Sequence, residues 1–119
     1  MQTIQSGGQT IAVYDERQKK IASGQDALDL IAEVYYQLGC SRVAIAKQAL
    51  GEDFFVLSTR LAGEILQKFV NYQVKAAIYG DFSGYTSKPL KDFMVESNRG
   101  GGIFFTDTLQ QAVQRLAEG

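Results

Sequence analysis

The stretch Leu57–Arg99, LSTRLAGEILQKFVNYQVKAAIYGDFSGYTSKPLKDFMVESNR, decides the fold. Leu61, Ala62, Ile65, Leu66 and Phe69 recur at helical spacing, while Arg60, Gln67, Lys68 and Asn71 fall off that stripe. The pattern predicts a helix opening at Ser58 or Thr59. Val74–Tyr79 is an apolar, strand-length run that closes on Gly80. A second helix opens at Ser87 or Lys88, with Pro89 in its first turn, where a missing N–H costs nothing. Leu90, Phe93, Met94 and Ser97 form its inner face, and Gly100-Gly101-Gly102 ends it. Helix, strand and helix in close succession are the working unit of an α/β sheet.

The same alternation extends outward in both directions. Thr3-Ile4-Gln5 and Thr10–Tyr14 flank Ser6-Gly7-Gly8-Gln9 and predict an N-terminal hairpin, because paired glycines supply the positive φ angles of a tight turn. Ser23 is placed to cap a helix over Gln25–Leu38, with Ala27, Leu28, Ile31, Val34, Tyr35 and Leu38 on its apolar side. Gly39 fits the left-handed position beyond it. Arg42–Ala46 reads as a buried strand, and Ala49–Val56 as irregular chain with a helical turn near Asp53. Ile103-Phe104-Phe105 is a last strand. Asp107 with Gln110 resembles a capping box for a final helix carrying Leu109, Ala112, Val113 and Leu116. The expected order is β-β-α-β-α-β-α-β-α: a single α/β domain over 1–119, with a mostly parallel sheet and an N-terminal β-hairpin.

Composition narrows the chemistry. The 119 residues suit one domain, and a 45% hydrophobic content is enough for a real core. A net charge of −1 with mixed signs leaves no electrostatic footprint for nucleic acid. The basic run Arg17-Gln18-Lys19-Lys20 follows Asp15-Glu16 and reads as a solvated loop. No apolar run reaches the ~20 residues of a membrane span, and Met1–Gly8 has no signal-peptide pattern. The lone Cys40, at a helix-to-strand turn, is expected to be a buried structural thiol. These features point to a cytoplasmic protein. With no histidine, His-based acid–base catalysis and most zinc sites are excluded. No catalytic residue, metal ligand set or cofactor motif is assigned: Gly100-Gly101-Gly102 precedes a strand and no Gly-Lys-Ser/Thr follows it.

In an open α/β sheet, ligands bind beyond the carboxyl ends of the strands. Here those ends carry Tyr14-Asp15-Glu16, Ala46-Lys47, Gly80-Asp81-Phe82-Ser83 and Thr106-Asp107. Helix N-termini face the same end and favour anions. Ser58 and Thr59, with Arg60 and Lys47, are therefore candidates to hold an anion, and Ser58 also fits a plain N-cap. Asp81, Ser83 and Tyr85 form a polar, aromatic loop suited to recognition. Glu64, beside its helix's apolar stripe, is expected to pair with Lys68 or Lys88.

Ala62–Phe69 with Asn71-Tyr72 and Lys75 resembles a bacterial family of unknown function, domain of unknown function 4180. Gly80–Ser83, Tyr85, Ser87-Lys88, Asp92-Phe93, Glu96-Ser97-Asn98, Gln25–Ile31 and Leu38-Gly39-Cys40 extend that resemblance over nearly the whole chain. It implies a small bacterial cytoplasmic protein and brings no activity with it. The element order also looks like the STAS fold of anti-sigma-factor antagonists and the related SEC14-like domains. There, the helix after the third strand opens with a Ser or Thr phosphorylated by a partner kinase. Ser58-Thr59 falls at that place, preceded here by Val56-Leu57 where the pattern usually has an Asp.

The expected function is a non-catalytic binding or regulatory module. A protein partner or small anionic ligand would meet Lys47, Ser58, Thr59, Arg60, Asp81, Ser83 and Tyr85. One alternative is a small hydrolase or lyase using Asp81 or Glu64 as a general base, which needs a cleft and a raised pKa. Another is a carrier of an apolar ligand among Phe54, Phe55, Phe82, Phe104 and Phe105, residues whose first reading is core. Edge pairing by the hairpin leaves a homodimer open.

Overall fold

A computed structural model describes residues 1–118. Gln2–Ser6 (β1) and Gln9–Tyr14 (β2) form the hairpin, and φ is +57° at Gly7 and +79° at Gly8, as a two-residue primed turn requires. Arg42–Ala46 (β3), Lys75–Tyr79 (β4) and Ile103–Thr106 (β5) complete one sheet of order β1-β2-β3-β4-β5. The β1–β2 pair is antiparallel, and every other pair is parallel. The helices are Gly24–Ala32 (α1), Leu61–Asn71 (α2), Lys88–Arg99 (α3) and Leu109–Ala117 (α4). The element order matches the one the sequence implies.

Because the parallel strands follow one another across the sheet, three right-handed crossovers step the same way and lay α1, α2 and α3 on one face. Strand side chains alternate between faces. Tyr14, Val43, Ile45, Ile78 and Phe105 meet Ile31, Val34, Ile65, Phe69 and Leu90 on that side. Ile11, Ala44, Ala77 and Phe104 meet Ala112 and Leu116 on the other, where α4 is the only helix among the described residues. Ala44 and Ala77 are small, so α4 approaches the sheet closely. Arg42 Nε donates to the Leu116 carbonyl (2.7 Å), and the Arg115 guanidinium lies over the Phe104 ring at 4.4 Å.

Several local details differ from the sequence expectation. The first helix is α-helical only to Ala32; Glu33–Gln37 form a π-helical turn. Tyr35 and Tyr36 are thereby exposed, where the stripe placed Tyr35 inside. Lys47–Ala49, Glu52–Phe55 and Leu57–Thr59 are successive 3₁₀ turns, so α2 starts at Leu61 and not at Ser58 or Thr59. Its cap residue is Arg60, at φ +63°, and Ser58 caps nothing. The final helix is capped by Thr108, whose hydroxyl accepts from Gln111 N at 3.1 Å, while the Gln111 side-chain Oε1 accepts from Asp107 N at 3.0 Å. The cap is thus one residue later than the Asp107–Gln110 pair suggests, and the returning side-chain bond goes to Asp107 N, just before the cap.

The outer edge of β5 is closed by a side chain. Asn98 Nδ2 donates to the Phe105 carbonyl (3.2 Å), and its Oδ1 accepts from Phe105 N (2.7 Å). The amide thus takes the place of a sixth strand at one residue. Phe69→Ala is expected to lower unfolding free energy by about 3–5 kcal/mol through a core cavity. Asn98→Ala is expected to cost about 1–2 kcal/mol, read from urea midpoints at unchanged m.

Candidate functional site

The carboxyl ends of β3 and β4 meet at Lys47 and Gly80. At φ +152°, Gly80 adopts a backbone conformation that side chains rarely accept, and a Cβ there would lie 2.8 Å from Lys47 Cβ. The lysine stem therefore packs directly over the Gly80 backbone. Lys47 Nζ then donates to the Asp81 carbonyl at 2.7 Å and lies 4.6 Å from the centroid of Tyr85 and 5.9 Å from that of Phe82. The Asp81 side chain turns inward on its own loop: Oδ1 accepts from Ser83 N at 2.9 Å. Tyr85 N donates to the Phe82 carbonyl and closes the next turn.

Asp81 is fully exposed, yet its carboxyl is held below the ordinary 3.8. The Ser83 hydroxyl is the main cause and the Ser83 N–H the second, with a further contribution from the Lys47 charge. A lowered pKa makes the group a weaker base. Two tyrosines at strand ends, Tyr14 and Tyr79, are shifted upward, mainly by burial and then by the negative charge of Glu16 and Asp15 respectively.

Of the seven residues expected at the site, Lys47, Asp81, Ser83 and Tyr85 are brought together. Ser58, Thr59 and Arg60 are exposed on the turn before α2, and their hydrogen bonds run elsewhere. Thr59 Oγ1 lies 2.8 Å from the Val56 carbonyl and 3.0 Å from that of Asp53, and accepts from Leu61 N. This hydroxyl shapes a turn, and it already holds the first free N–H of α2. Glu64 is exposed and makes no ion pair among the described residues; Lys88 pairs with Asp92 instead. The two ion pairs among the described residues are Lys88–Asp92 and Arg99–Glu96.

Phe55 is the site residue that the sequence reading missed in this role. Its ring stacks on Tyr85, with centroids 4.9 Å apart and planes at 21°. It belongs to the 3₁₀ turn that packs against Leu57–Thr59, so it links the two halves of the expected surface. The Phe54-Phe55 doublet is visible in the sequence, but as core or as part of an apolar-ligand cluster, not as a partner of Tyr85. A cleft of ≈ 220 Å³ opens here between Lys20, Lys47, Gln48, Glu52, Phe55 and Tyr85. The arrangement offers a fixed cation over an aromatic wall. A larger groove of ≈ 470 Å³, lined by Leu28, Ile31, Tyr35, Tyr36 and Tyr72, lies by the π-helical turn. Tyr35 Oη donates to the Tyr72 carbonyl across it (2.6 Å).

Gly80→Ala is expected to destabilise by about 1–3 kcal/mol and to displace Lys47. Gly63→Ala, on an open helical surface, is expected to stabilise by about 0.4–1 kcal/mol. Paired urea titrations check both. By carboxyl-resolved NMR, Asp81 should titrate below 3.8 and move back up in Ser83→Ala. Since its folded pKa is the lower one, its contribution to stability is present above the unfolded pKa and is lost as pH falls through the folded value.

No helix among the described residues is long and apolar enough to cross a membrane. No curated protein and no solved structure matches the chain. The profile described as Domain of unknown function (DUF4180) matches residues 6–116, nearly the whole chain, and the protein belongs to that family.

Proposed function

We propose that this is a regulatory binding module of the bacterial cytoplasm that takes a small anionic ligand, a phosphate or carboxylate, beside Lys47. The observation that carries this reading is the state of the Lys47 ammonium. It is held by a neutral carbonyl and an aromatic face, not by a carboxylate. It lines a cleft shared with Lys20 and Glu52, and neither ion pair among the described residues involves it. Lys20 adds a second positive charge and Glu52 a negative one at the cleft, and Tyr85, backed by the buried Phe55 ring, supplies an aromatic wall. Asp81 and Ser83 fix the loop that holds the lysine. Ser58, Thr59 and Arg60 flank this region on the adjoining turn, where a protein partner reading the liganded state would make contact, in the manner of a STAS-like module.

Catalysis by a carboxylate has less support, because Asp81 is exposed with a lowered pKa and Glu64 is exposed on α2. An apolar-ligand carrier built on the phenylalanines also has little. Phe54, Phe55, Phe104 and Phe105 are buried core, and Phe104 faces the opposite side of the sheet. The tyrosine groove beside α1 is the better place for such a ligand.

A thermal-shift screen against phosphorylated metabolites, nucleotides and fatty acids tests these readings. A ligand at 100 times its Kd should stabilise by about 2.7 kcal/mol, several degrees in Tm. Lys47→Met keeps the apolar stem and removes the charge. It should weaken an anionic hit by about 1.5–3 kcal/mol, with Arg60→Ala far less affected. A hit from the fatty acids alone, abolished by Tyr36→Ser and untouched by Lys47→Met, would reject the anionic site.

A further inference from the structure

The two edges of the sheet are treated differently. At β5, Asn98 occupies the outward N–H and C=O of Phe105, and the strand is only 4 residues long. At β1 no such device exists among the described residues. Gln2-Thr3-Ile4-Gln5-Ser6 is paired with β2 in unbroken register, without a bulge, and contains no proline and no charged residue. Natural edge strands are ordinarily blunted by those means.

The register shows which groups are free. In a two-residue hairpin the residues flanking the turn, Ser6 and Gln9, exchange hydrogen bonds, and bonded pairs then alternate along the strands. Gln2, Ile4 and Ser6 therefore spend their backbone groups on β2, and Thr3 and Gln5 direct theirs outward. Ile4 is paired with Ile11 and so shares the face covered by α4. There it borders an open groove of ≈ 640 Å³ against Leu109, Gln110, Val113, Gln114 and Ala117. This surface is apolar at its centre, carries only the neutral polar residues Ser6, Gln110 and Gln114 at its sides, and is continuous with the free edge.

We infer that β1 pairs antiparallel with β1 of a second copy about a two-fold axis at Ile4, joining two sheets into one of ten strands. Thr3 of each copy exchanges both backbone hydrogen bonds with Gln5 of the other, and the two Ile4 side chains meet on the axis beside the α4 grooves. An identical partner is the fit because the strand is uncharged: like charges set directly opposite each other would oppose self-pairing, and here there are none.

Sedimentation equilibrium of the full chain should give twice the 13.1 kDa chain mass. Gln5→Pro removes an outward N–H that the intramolecular ladder does not use, so it should give a monomer with an unchanged circular dichroism spectrum. Ile4→Cys should form an intermolecular disulfide under mild oxidation, because residues facing each other in a non-hydrogen-bonded pair sit within bridging distance. Wild type, whose Cys40 is buried, should not. A wild-type mass of one chain overturns the inference. So does a dimer that folded Gln5→Pro leaves intact, or one in which Ile4→Cys fails to cross-link. If Gln5→Pro does not fold, the cross-link alone decides.

Discussion

The handedness of the crossovers is the constraint on which the rest of this structure depends. Strands β2 to β5 lie in chain order, so each right-handed connection deposits its helix on the same face. That face holds three helices and most of the core. The opposite face is left to α4, which follows β5 and packs back on the sheet. One helix can cover it only by lying close, which is why Ala44 and Ala77 sit beneath Ala112 and Leu116. The same ordering leaves the hairpin strand β1 at one edge and β5 at the other.

The candidate site follows from that ordering at shorter range. Adjacent parallel strands bring the residues just past β3 and β4 together, here Lys47 and Gly80. Only a residue without a Cβ lets the lysine stem lie where it does, and the stem's position sends the ammonium to the Asp81 carbonyl and the Tyr85 ring. The loop carrying those partners is held by its own short-range bonds, Ser83 to Asp81 and Tyr85 to Phe82. The carbonyl and the two aromatic rings fix the position of the Lys47 ammonium without placing a carboxylate in contact with it.

Much of this was legible in the chain. Helical spacing marked α2, α3 and α4, and the glycine pair marked the hairpin, because these features are set by interactions a few residues apart. The strand ends named Lys47, Asp81, Ser83 and Tyr85 for the same reason: topology alone brings them to one end. Ser58, Thr59 and Arg60 did not join them. Three consecutive 3₁₀ turns absorb the chain before α2, and Thr59 spends its hydroxyl on Asp53, Val56 and Leu61. Their hydrophobic spacing suits no periodic element, so no local pattern announces how they fold.

The sequence by itself determined the element order, the parallel sheet, the cores of the helices and the family. Each is written in residue types whose effect is local or periodic. Tertiary structure decided the contacts between residues distant in the chain: Phe55 on Tyr85, Lys47 over Gly80, Asn98 on the edge of β5, and the opening of the first helix into a π-helical turn. These depend on which side chains share a few ångströms once the sheet has formed. Distance in space is not encoded in spacing along a chain, and for that reason the role of Asn98, in the last turn of α3, as the closure of a sheet edge has no signal in the sequence.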